Sequence, residues 1–169
     1  VVAPPGGLSA AVAAGLVVRP VMIEAEALLR SGAVRVAAGR ADAQPMREFG
    51  SGWSGDEQLF WSGGTPGASL ELAFEVTAAG RYAVELQLTR APDYGRLRFE
   101  LDGEPAGEGF DGYDAGVMPS GPVPLGSFTL PAGPHRLRVT IAGRNRQSSG
   151  DLAGIDNLRL HPAGLLQLA

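Results

Sequence analysis

Apolar and polar residues alternate along residues 69–102, in three runs that keep a strict period of two. The runs are residues 69–76, 81–88 and 96–101. A period of two places the apolar side chains on one face of a β-strand and the charged side chains on the other. The stretch therefore predicts three consecutive strands. The pair Asp102-Gly103 favours left-handed backbone angles and predicts a tight hairpin after the third strand.

A sheet with one apolar face needs a second layer to cover it, so the chain is predicted to be an all-β, two-sheet β-sandwich. Alternation at residues 137–141 and a closing run at residues 155–160 predict two more strands. Seven apolar residues are predicted to lie buried between the sheets: Leu72, Phe74, Val84, Leu86, Phe99, Leu137 and Val139.

Shorter patterns predict strands that begin at Val21 and that cover residues 34–38, 58–61 and 125–130. In the first of these, Glu24 and Glu26 share one face of the predicted strand. Residues 41–48 are predicted to be a polar connection, and residues 107–124 a long loop without periodicity; loops of such length are usually functional. The total is eight to ten strands, and no amphipathic helix is predicted after Val21.

Composition narrows the possible functions. The 169 residues are enough for one domain, and the 25 glycines and 13 prolines fall between the alternating runs, as in a loop-rich β fold. The net charge of −4 has no basic block, which argues against nucleic acid as a partner. The absence of cysteine excludes disulfides, thiol catalysis and cysteine-based zinc sites.

Three segments follow from these patterns: residues 1–20, a linker or apolar N-terminal arm; residues 21–161, the β-sandwich domain; and residues 162–169, a tail. The arm contains an apolar run of eleven residues, Leu8–Val18, which is too short to span a bilayer. No basic residue precedes the run, so it is not a whole signal peptide, and no membrane partner is predicted. The run is either a linker or short helix on the domain, or an arm that docks on a neighbouring domain or chain.

Aromatic residues in irregular segments are candidates for sugar binding, because a ring can stack on the C–H face of a sugar while polar neighbours bind its hydroxyls. The predicted ligand residues are Tyr113, Tyr94, Asp111, Asp114, Asn145 and Trp53. Tyr94 and Tyr113 lie in predicted loops and are expected to be exposed, as one stacking platform or the other at the end of the sandwich. Trp61 lies on a strand, which favours the core, and Trp53 fits either place. The alternative is that these aromatics only close the ends of the sandwich.

Signals for catalysis are weak. His135 starts a strand and His161 follows the last one, so neither lies beside a nucleophile. Asp111 and Asp114 have the chemistry of a glycosidase acid and base, but two acids on one loop of a small sandwich are more typical of ligand or metal contacts. The chain is therefore predicted not to be an enzyme.

The order of the motifs resembles a known family. The opening strand with IEAE, an alternating hairpin and a closing strand of the form I-D-x-L-x-L resemble carbohydrate-binding modules of families 6 and 35. These modules are β-jelly rolls of the galactose-binding-domain-like class. The middle of the chain is closer still to one subgroup: the order GWSGDEQLFW, PGASLELAFEV, AGRYAVELQLTRAPDYG, LDGEP and GIDNLRL resembles the module appended to bacterial extracellular glycoside hydrolases, including the DUF2961 (family 172) type. The resemblance covers about Met22 to Leu160.

The resemblance also implies a metal. In these modules the opening Glu-x-Glu and the closing Asp bind a structural calcium ion, and the matching residues here are Glu24, Glu26 and Asp156. Ca²⁺ prefers six to eight oxygen ligands and would tie the first strand to the last. The alternative is that the glutamates are solvated on an outer strand and that the aspartate only ends a strand.

The sequence thus predicts a secreted, cell-surface or periplasmic module that binds polysaccharide or oligosaccharide without cleaving it and that accompanies a parent enzyme domain. The competing prediction is a structural domain that self-associates through residues 1–20.

Overall fold

Two antiparallel sheets pack face to face in the computed structural model, which describes residues 20–163. A short helix, α1 (Ala25–Arg30), follows the first strand, and two single-turn 3-10 helices, Arg47–Phe49 and Ser54–Asp56, precede the fourth. The eleven strands are β1 (Val21–Glu24), β2 (Val34–Val36), β3 (Arg40–Pro45), β4 (Glu57–Ser62), β5 (Ser69–Val76), β6 (Gly80–Arg90), β7 (Arg96–Leu101), β8 (Glu104–Asp111), β9 (Met118–Leu130), β10 (Gly133–Gly143) and β11 (Ala153–Pro162).

One sheet has the strand order β3-β4-β11-β6-β9, with β1 also paired to β11, and the other has the order β2-β5-β10-β7-β8. The predicted two-sheet sandwich is confirmed. The long strands β5 and β6 follow each other in sequence but belong to opposite sheets, so they do not form a hairpin. β7 and β8 do form the predicted hairpin, with left-handed φ angles of 50° at Asp102 and 86° at Gly103.

The predicted core is confirmed. Leu72, Phe74, Val84, Leu86, Phe99, Leu137 and Val139 are all buried between the sheets, with Phe74 the most exposed of them at 4%. Because alternation specifies which side of a strand faces inward, these residues could be assigned without knowing the partners of any strand.

The opening segment differs from the prediction. The strand stops at Glu24, and Ala25–Arg30 turns into helix α1, which packs Leu28 and Leu29 against the core. The segment AEALLR consists of strong helix formers, so local propensity favours the helix where the short alternation suggested a strand. The prediction that no helix follows Val21 is therefore wrong.

The predicted connection at residues 41–48 contains strand β3, and the predicted loop at residues 107–124 contains most of β8 and the start of β9. Only residues 112–117 remain between those two strands. The predicted number of eight to ten strands is therefore too low.

Strand β9 was not predicted over its full length because it contains several proline and glycine residues. The strand contains Pro119, Pro122 and Pro124, and it also contains glycines with φ of 77° (Gly121) and 108° (Gly126). As an edge strand, β9 tolerates residues that lack an N–H donor, and two register shifts against β6 absorb the irregular geometry.

Residues 1–19 and 164–169 lie outside the described residues, so the predictions for the N-terminal arm and for nearly all of the tail stay predictions. Within residues 20–163, no helix is long and apolar enough to cross a membrane.

Four loops meet at one end of the sandwich, here called the loop end: residues 46–56, 91–95, 112–117 and 144–152. Backbone hydrogen bonds join the last three: the Ala91 N–H donates to the Gly112 carbonyl at 2.9 Å, and the Gly95 N–H donates to the Leu152 carbonyl at 2.8 Å. Residues 46–56 lie beside them, since Met46 and Phe49 line a cavity together with Ala91 and Val117. Loops that are far apart in sequence thus form one continuous surface, as expected for a site built at the end of a sandwich.

Candidate functional site

Three carboxylates converge beside the loop end. Glu24, Glu26 and Asp156 each place an oxygen atom within 4.8 Å of the others, and we call this group the carboxylate cluster. These are the three residues that the family resemblance implied as calcium ligands.

The fold brings the cluster together by two local irregularities. Glu24 is the last residue of β1, and Glu26 lies in the first turn of α1, so the strand-to-helix junction turns both side chains to the same place. β1 pairs with β11, and a register shift between Ile155 and Asn157 allows Asp156 to point at the same spot.

The electrostatics of the carboxylate cluster are unfavourable without a cation. Burial raises the pKa of Glu26 to about 7, and the Glu24 and Asp156 carboxylates add to this shift. Burial likewise raises the pKa of Asp156 to about 6, although the Ser54 N–H lowers it. One oxygen of each acid, Glu24 Oε1, Glu26 Oε1 and Asp156 Oδ1, is buried without a hydrogen-bond partner in the described chain. Orphaned acidic oxygens of this kind fit a bound divalent cation.

The Ser54–Asp56 turn closes the cluster. The Ser54 N–H donates to Asp156 Oδ2 at 3.0 Å, and the Ser54 hydroxyl donates to Glu24 Oε2 at 2.5 Å. Gly55 adopts a left-handed φ of 64°, and a Cβ there would lie 3.5 Å from Glu24 Oε2. The donors present are oxygen atoms only, which suits Ca²⁺ or Mg²⁺ rather than a thiophilic metal.

A second feature is a small cavity of about 160 Å³ at the loop end, here called the loop-end pocket. Its lining includes Gln44, Met46, Phe49, Phe60, Asp93 and Tyr94. Phe49 is 38% exposed and Phe60 is half-buried, so the pocket offers apolar ring surface beside amide, carboxylate and phenol groups. This combination is the one that sugar recognition requires.

The predicted exposure of Tyr94 is wrong. The Tyr94 side chain is only 5% exposed because its ring packs beside Phe60 and its hydroxyl accepts a hydrogen bond from Gln58 Nε2 at 3.0 Å. It therefore cannot serve as a stacking platform, although Tyr94 is among the residues that line the loop-end pocket. Trp53, which fitted either place, is also buried at 5%, and the prediction for Trp61 is confirmed at 1%.

Three other predicted ligand residues form a polar group next to the pocket. Asn145 Nδ2 donates to Asp111 Oδ2 at 2.7 Å, and the Tyr113 N–H donates to Asp111 Oδ1 at 3.0 Å. Tyr113 is half-buried and bridges to Ala91, which itself lines the pocket. Asp114 lies in the same loop and accepts a hydrogen bond from the Gly116 N–H at 2.9 Å. As ligand contacts, these residues stay predictions.

Phe60, Phe49, Gln44 and Asp93 were not singled out from the sequence. A signal existed for Phe60: it lies between Leu59 and Trp61, which both face the core, so the alternation of β4 turns its ring outward. An aromatic residue at an outward position of a strand is a reason to expect a binding surface. Gln44 and Asp93 carried no such signal.

A larger cavity of about 540 Å³ lies on the outer face of the five-stranded sheet. Its walls are charged, and Arg138 is paired to Glu71 at 2.8 Å. His135 contributes the only aromatic ring to that lining, and its two nitrogens are held by Asp102 at 2.6 Å and by the Pro131 carbonyl at 2.7 Å. This cavity therefore offers no free platform for a sugar ring, and the smaller loop-end pocket is the better candidate.

No family model and no curated protein matches the chain. Solved structures match its fold. A Paenibacillus xanthan lyase aligns at a TM-score of 0.69 with 20% identity, over 90% of this chain and 14% of that chain. The chain therefore spans only a small part of that enzyme.

Two complete modules are also similar. The CBM35 of Paenibacillus barcinonensis aligns at a TM-score of 0.51 with 15% identity, over 85% of this chain and 99% of that chain. The CBM36-1 domain of a multidomain xylanase, from the hindgut metagenome of Trinervitermes trinervoides, aligns at a TM-score of 0.52 with 15% identity, over 86% of this chain and 99% of that chain. At these identities the likeness establishes the fold: the chain is a jelly-roll β-sandwich of the kind found in carbohydrate-binding modules.

Proposed function

We propose that this chain is a non-catalytic carbohydrate-binding module and that its ligand site is the loop end. The observation that carries the proposal is the loop-end pocket, where Phe49 and Phe60 present ring surface beside Gln44, Asp93 and Tyr94. The likeness to two complete carbohydrate-binding modules supports it, because a fold alone does not assign a function but raises the expectation for this one.

The size of the pocket limits what it binds. A cavity of about 160 Å³ is smaller than the roughly 300–1,000 Å³ typical of small-molecule sites, so it suits one sugar ring rather than a long buried chain. Tyr113, Asp111, Asp114 and Asn145 extend the surface beyond the pocket and provide contacts for a second unit. Binding is expected to be weak, since each sugar hydroxyl gives up water for every hydrogen bond that it gains.

The carboxylate cluster is proposed to hold a structural calcium ion through Glu24, Glu26 and Asp156. When bound, the ion would supply positive charge that offsets the negative charge of the three acids. The three residues themselves join β1, α1 and β11, and Ser54 connects them to the loop end.

Asp111 is not suited to be the acid of a glycosidase. A glycosidase acid must hold its proton near neutral pH. Although burial opposes it, hydrogen bonds from Asn145 and from the Tyr113 N–H, together with Arg96 nearby, lower the pKa of Asp111. Asp111 is therefore a carboxylate at neutral pH, able to accept hydrogen bonds from a ligand but unsuited to donate a proton.

The proposed context is a secreted glycan-active protein, located outside the cell, at its surface or in the periplasm. Similarity to a part that makes up only 14% of a lyase chain, and the motif resemblance to modules of family 172 (DUF2961-type) hydrolases, support an accessory role beside a parent enzyme domain.

Phe60→Ala is expected to weaken sugar binding by roughly tenfold, because the substitution removes the main ring surface of the pocket. The measurement is calorimetric titration with soluble gluco-, xylo-, manno- and galacto-oligosaccharides. Phe49→Ala is expected to weaken binding as well, because Phe49 lines the same pocket, and Tyr113→Ala is expected to weaken it less, because Tyr113 is not part of the lining. Phe128→Ala is the matched control: Phe128 is half-buried and pairs with Tyr82 at the opposite end of the sandwich.

A sugar that binds wild type and Phe60→Ala equally well would place the site elsewhere, with the charged sheet face around Arg98 next to be tested. If no sugar binds and the full chain elutes as an oligomer that residues 1–20 are needed to form, the structural alternative is correct.

A further inference from the structure

A buried chain of hydrogen bonds runs from Trp53 to the loop-end pocket. Trp53 Nε1 donates to Thr89 Oγ1 at 2.8 Å, and the Thr89 hydroxyl bonds to Gln58 Oε1. Gln58 Nε2 then donates to Gln44 Oε1 at 2.8 Å and to the Tyr94 hydroxyl at 3.0 Å. Gln44 and Tyr94 line the pocket, whereas Thr89 does not.

The hydrogen bonds of this chain all run in one direction in the structure. The indole N–H of Trp53 can only donate, so the Thr89 oxygen accepts there, and the Thr89 hydroxyl donates its single proton to Gln58 Oε1. The Gln58 oxygen thus faces Thr89, and its amide group faces the other way. Gln44 and Tyr94 therefore receive hydrogen bonds from Gln58.

Packing holds the Gln58 side chain in place. Its side chain is fully buried, at 0% exposed. The carboxamide lies directly against Gly154, where an added Cβ would come within 2.3–2.7 Å of its atoms. Only glycine at this position of β11 leaves room for the amide, so the strand and the side chain fit each other specifically.

The polarity of the chain leaves two donors at the pocket wall. Because the Tyr94 hydroxyl and the Gln44 carbonyl oxygen accept from Gln58, the Tyr94 O–H proton and the Gln44 NH₂ group remain free to donate. Neither donates to another group among residues 20–163. Burial raises the pKa of Tyr94 to about 12, so its phenol keeps the proton throughout the physiological range.

Asp93 adds an acceptor of the opposite character to the same pocket. A ligand hydroxyl group can bind both the donors and the acceptor of the pocket, since it accepts a hydrogen bond from Tyr94 or Gln44 and donates one to Asp93. A ligand carboxylate can accept but cannot donate, and it would lie beside a like charge.

We propose that Gln58 is the positioning residue of the loop-end pocket and that the pocket selects a neutral sugar unit with free hydroxyls over a uronic acid. The inference rests on the proposed function and specifies the ligand class of the same site. Trp53 and Thr89 act through Gln58 and do not touch the ligand.

The test compares Thr89→Val with Thr89→Ser. Valine keeps the shape but removes the hydroxyl that joins Trp53 to Gln58, whereas serine keeps the hydroxyl. We expect Thr89→Val to weaken the binding of neutral oligosaccharides by about tenfold and Thr89→Ser to retain affinity within about threefold. Tyr94→Phe, which removes the donor itself, is expected to match Thr89→Val. The NMR resonances of the Trp53 indole N–H and the Gln58 amide show, without any sugar, whether the hydrogen-bond chain from Trp53 to Gln58 is intact. The melting curve verifies that each variant folds.

The ligand class is tested with one pair of probes, a glucose-terminated and a glucuronic acid-terminated oligosaccharide of equal length. Wild type is expected to bind the first at least tenfold more tightly, and Asp93→Asn is expected to reduce that preference. Unchanged affinity in Thr89→Val, with shifted Trp53 and Gln58 resonances, would overturn the positioning role. Equal affinity for the two probes would overturn the ligand class alone. If wild type binds no sugar at all, the proposed function fails, and the ligand class fails with it.

Discussion

Replacing Phe99 by alanine is expected to lower the free energy of unfolding by about 3–5 kcal/mol, the range found when a buried phenylalanine ring is removed. Phe99 lies in β7 between Val139 of β10 and Ala106 of β8 and is 3% exposed. Both neighbouring strands are held by the same sheet, so the cavity cannot close by a simple shift of one strand.

Denaturant unfolding measures this loss, and an unchanged slope of the transition would show that the variant unfolds in the same two-state manner. Phe49→Ala is the matched control, because the same ring at a 38% exposed position is expected to cost less than about 1 kcal/mol. A comparably small loss for Phe99→Ala would contradict the inward register of β7, since a shift by one residue turns every side chain to the other face.

Removing calcium is expected to lower the melting temperature at pH 8 by roughly 5–10 °C. An ion at about 100 times its dissociation constant stabilises the folded state by about 2.7 kcal/mol, and each kcal/mol moves the transition of a domain of this size by about 2–4 °C. The comparison is between calcium-loaded protein and the same sample with excess chelator, and renewed calcium should restore the transition. Identical melting curves would leave the three acids as ordinary carboxylates.

The effect of the chelator should depend on pH. The pKa values of Glu26 and Asp156 are raised from 4.5 to about 7 and from 3.8 to about 6 in the folded protein. In metal-free protein the stability that these protonated acids contribute is therefore present below about pH 4 and is lost as the pH rises through 6 and 7. Calcium competes with the same protons. The difference between loaded and chelated protein should thus be large at pH 8 and small at pH 5.

The variant Asp156→Asn distinguishes the stabilisation by calcium from the repulsion among the three carboxylates. The variant should lose the response to calcium, yet at pH 8 its metal-free form should melt above metal-free wild type, because one of three crowded negative charges is gone. Asp42→Asn is the control: Asp42 is ion-paired to Arg40 in an exposed position and should leave the calcium response intact. A metal-free Asp156→Asn protein that melts below metal-free wild type would contradict the proposed repulsion in the cluster.

The carboxylate cluster and the loop-end pocket share one segment of the chain. Ser54 bonds to Glu24 and Asp156, and its neighbour Trp53 begins the hydrogen-bond chain that ends at Tyr94. Trp53 was a candidate for ligand stacking on the basis of its sequence context alone. Because Trp53 is buried, the role that we propose for it is to orient, through Thr89 and Gln58, the polar groups that lie closer to the ligand.

The sequence alone determined the in/out pattern of the core. Phe74, Leu86 and Val139 could be assigned to the interior because alternation is local: the pleat of a strand sets which side faces inward, whatever its partners are. The same reasoning identified the Asp102-Gly103 hairpin, whose backbone angles are imposed by two adjacent residues. It failed where local signals conflicted, as in the helix Ala25–Arg30 and in the proline-rich strand β9.

Only the tertiary structure decided which groups meet. Glu24 and Asp156 are 132 positions apart, and they come together because β1 pairs with β11 and because a register shift turns Asp156 inward. Tyr94 looked exposed because it lies in a loop, but the loop packs its ring beside Phe60 and its hydroxyl against Gln58. Contacts of this kind depend on strand order and on the space left by distant residues such as Gly154. Neither property can be predicted from the periodicity of the chain.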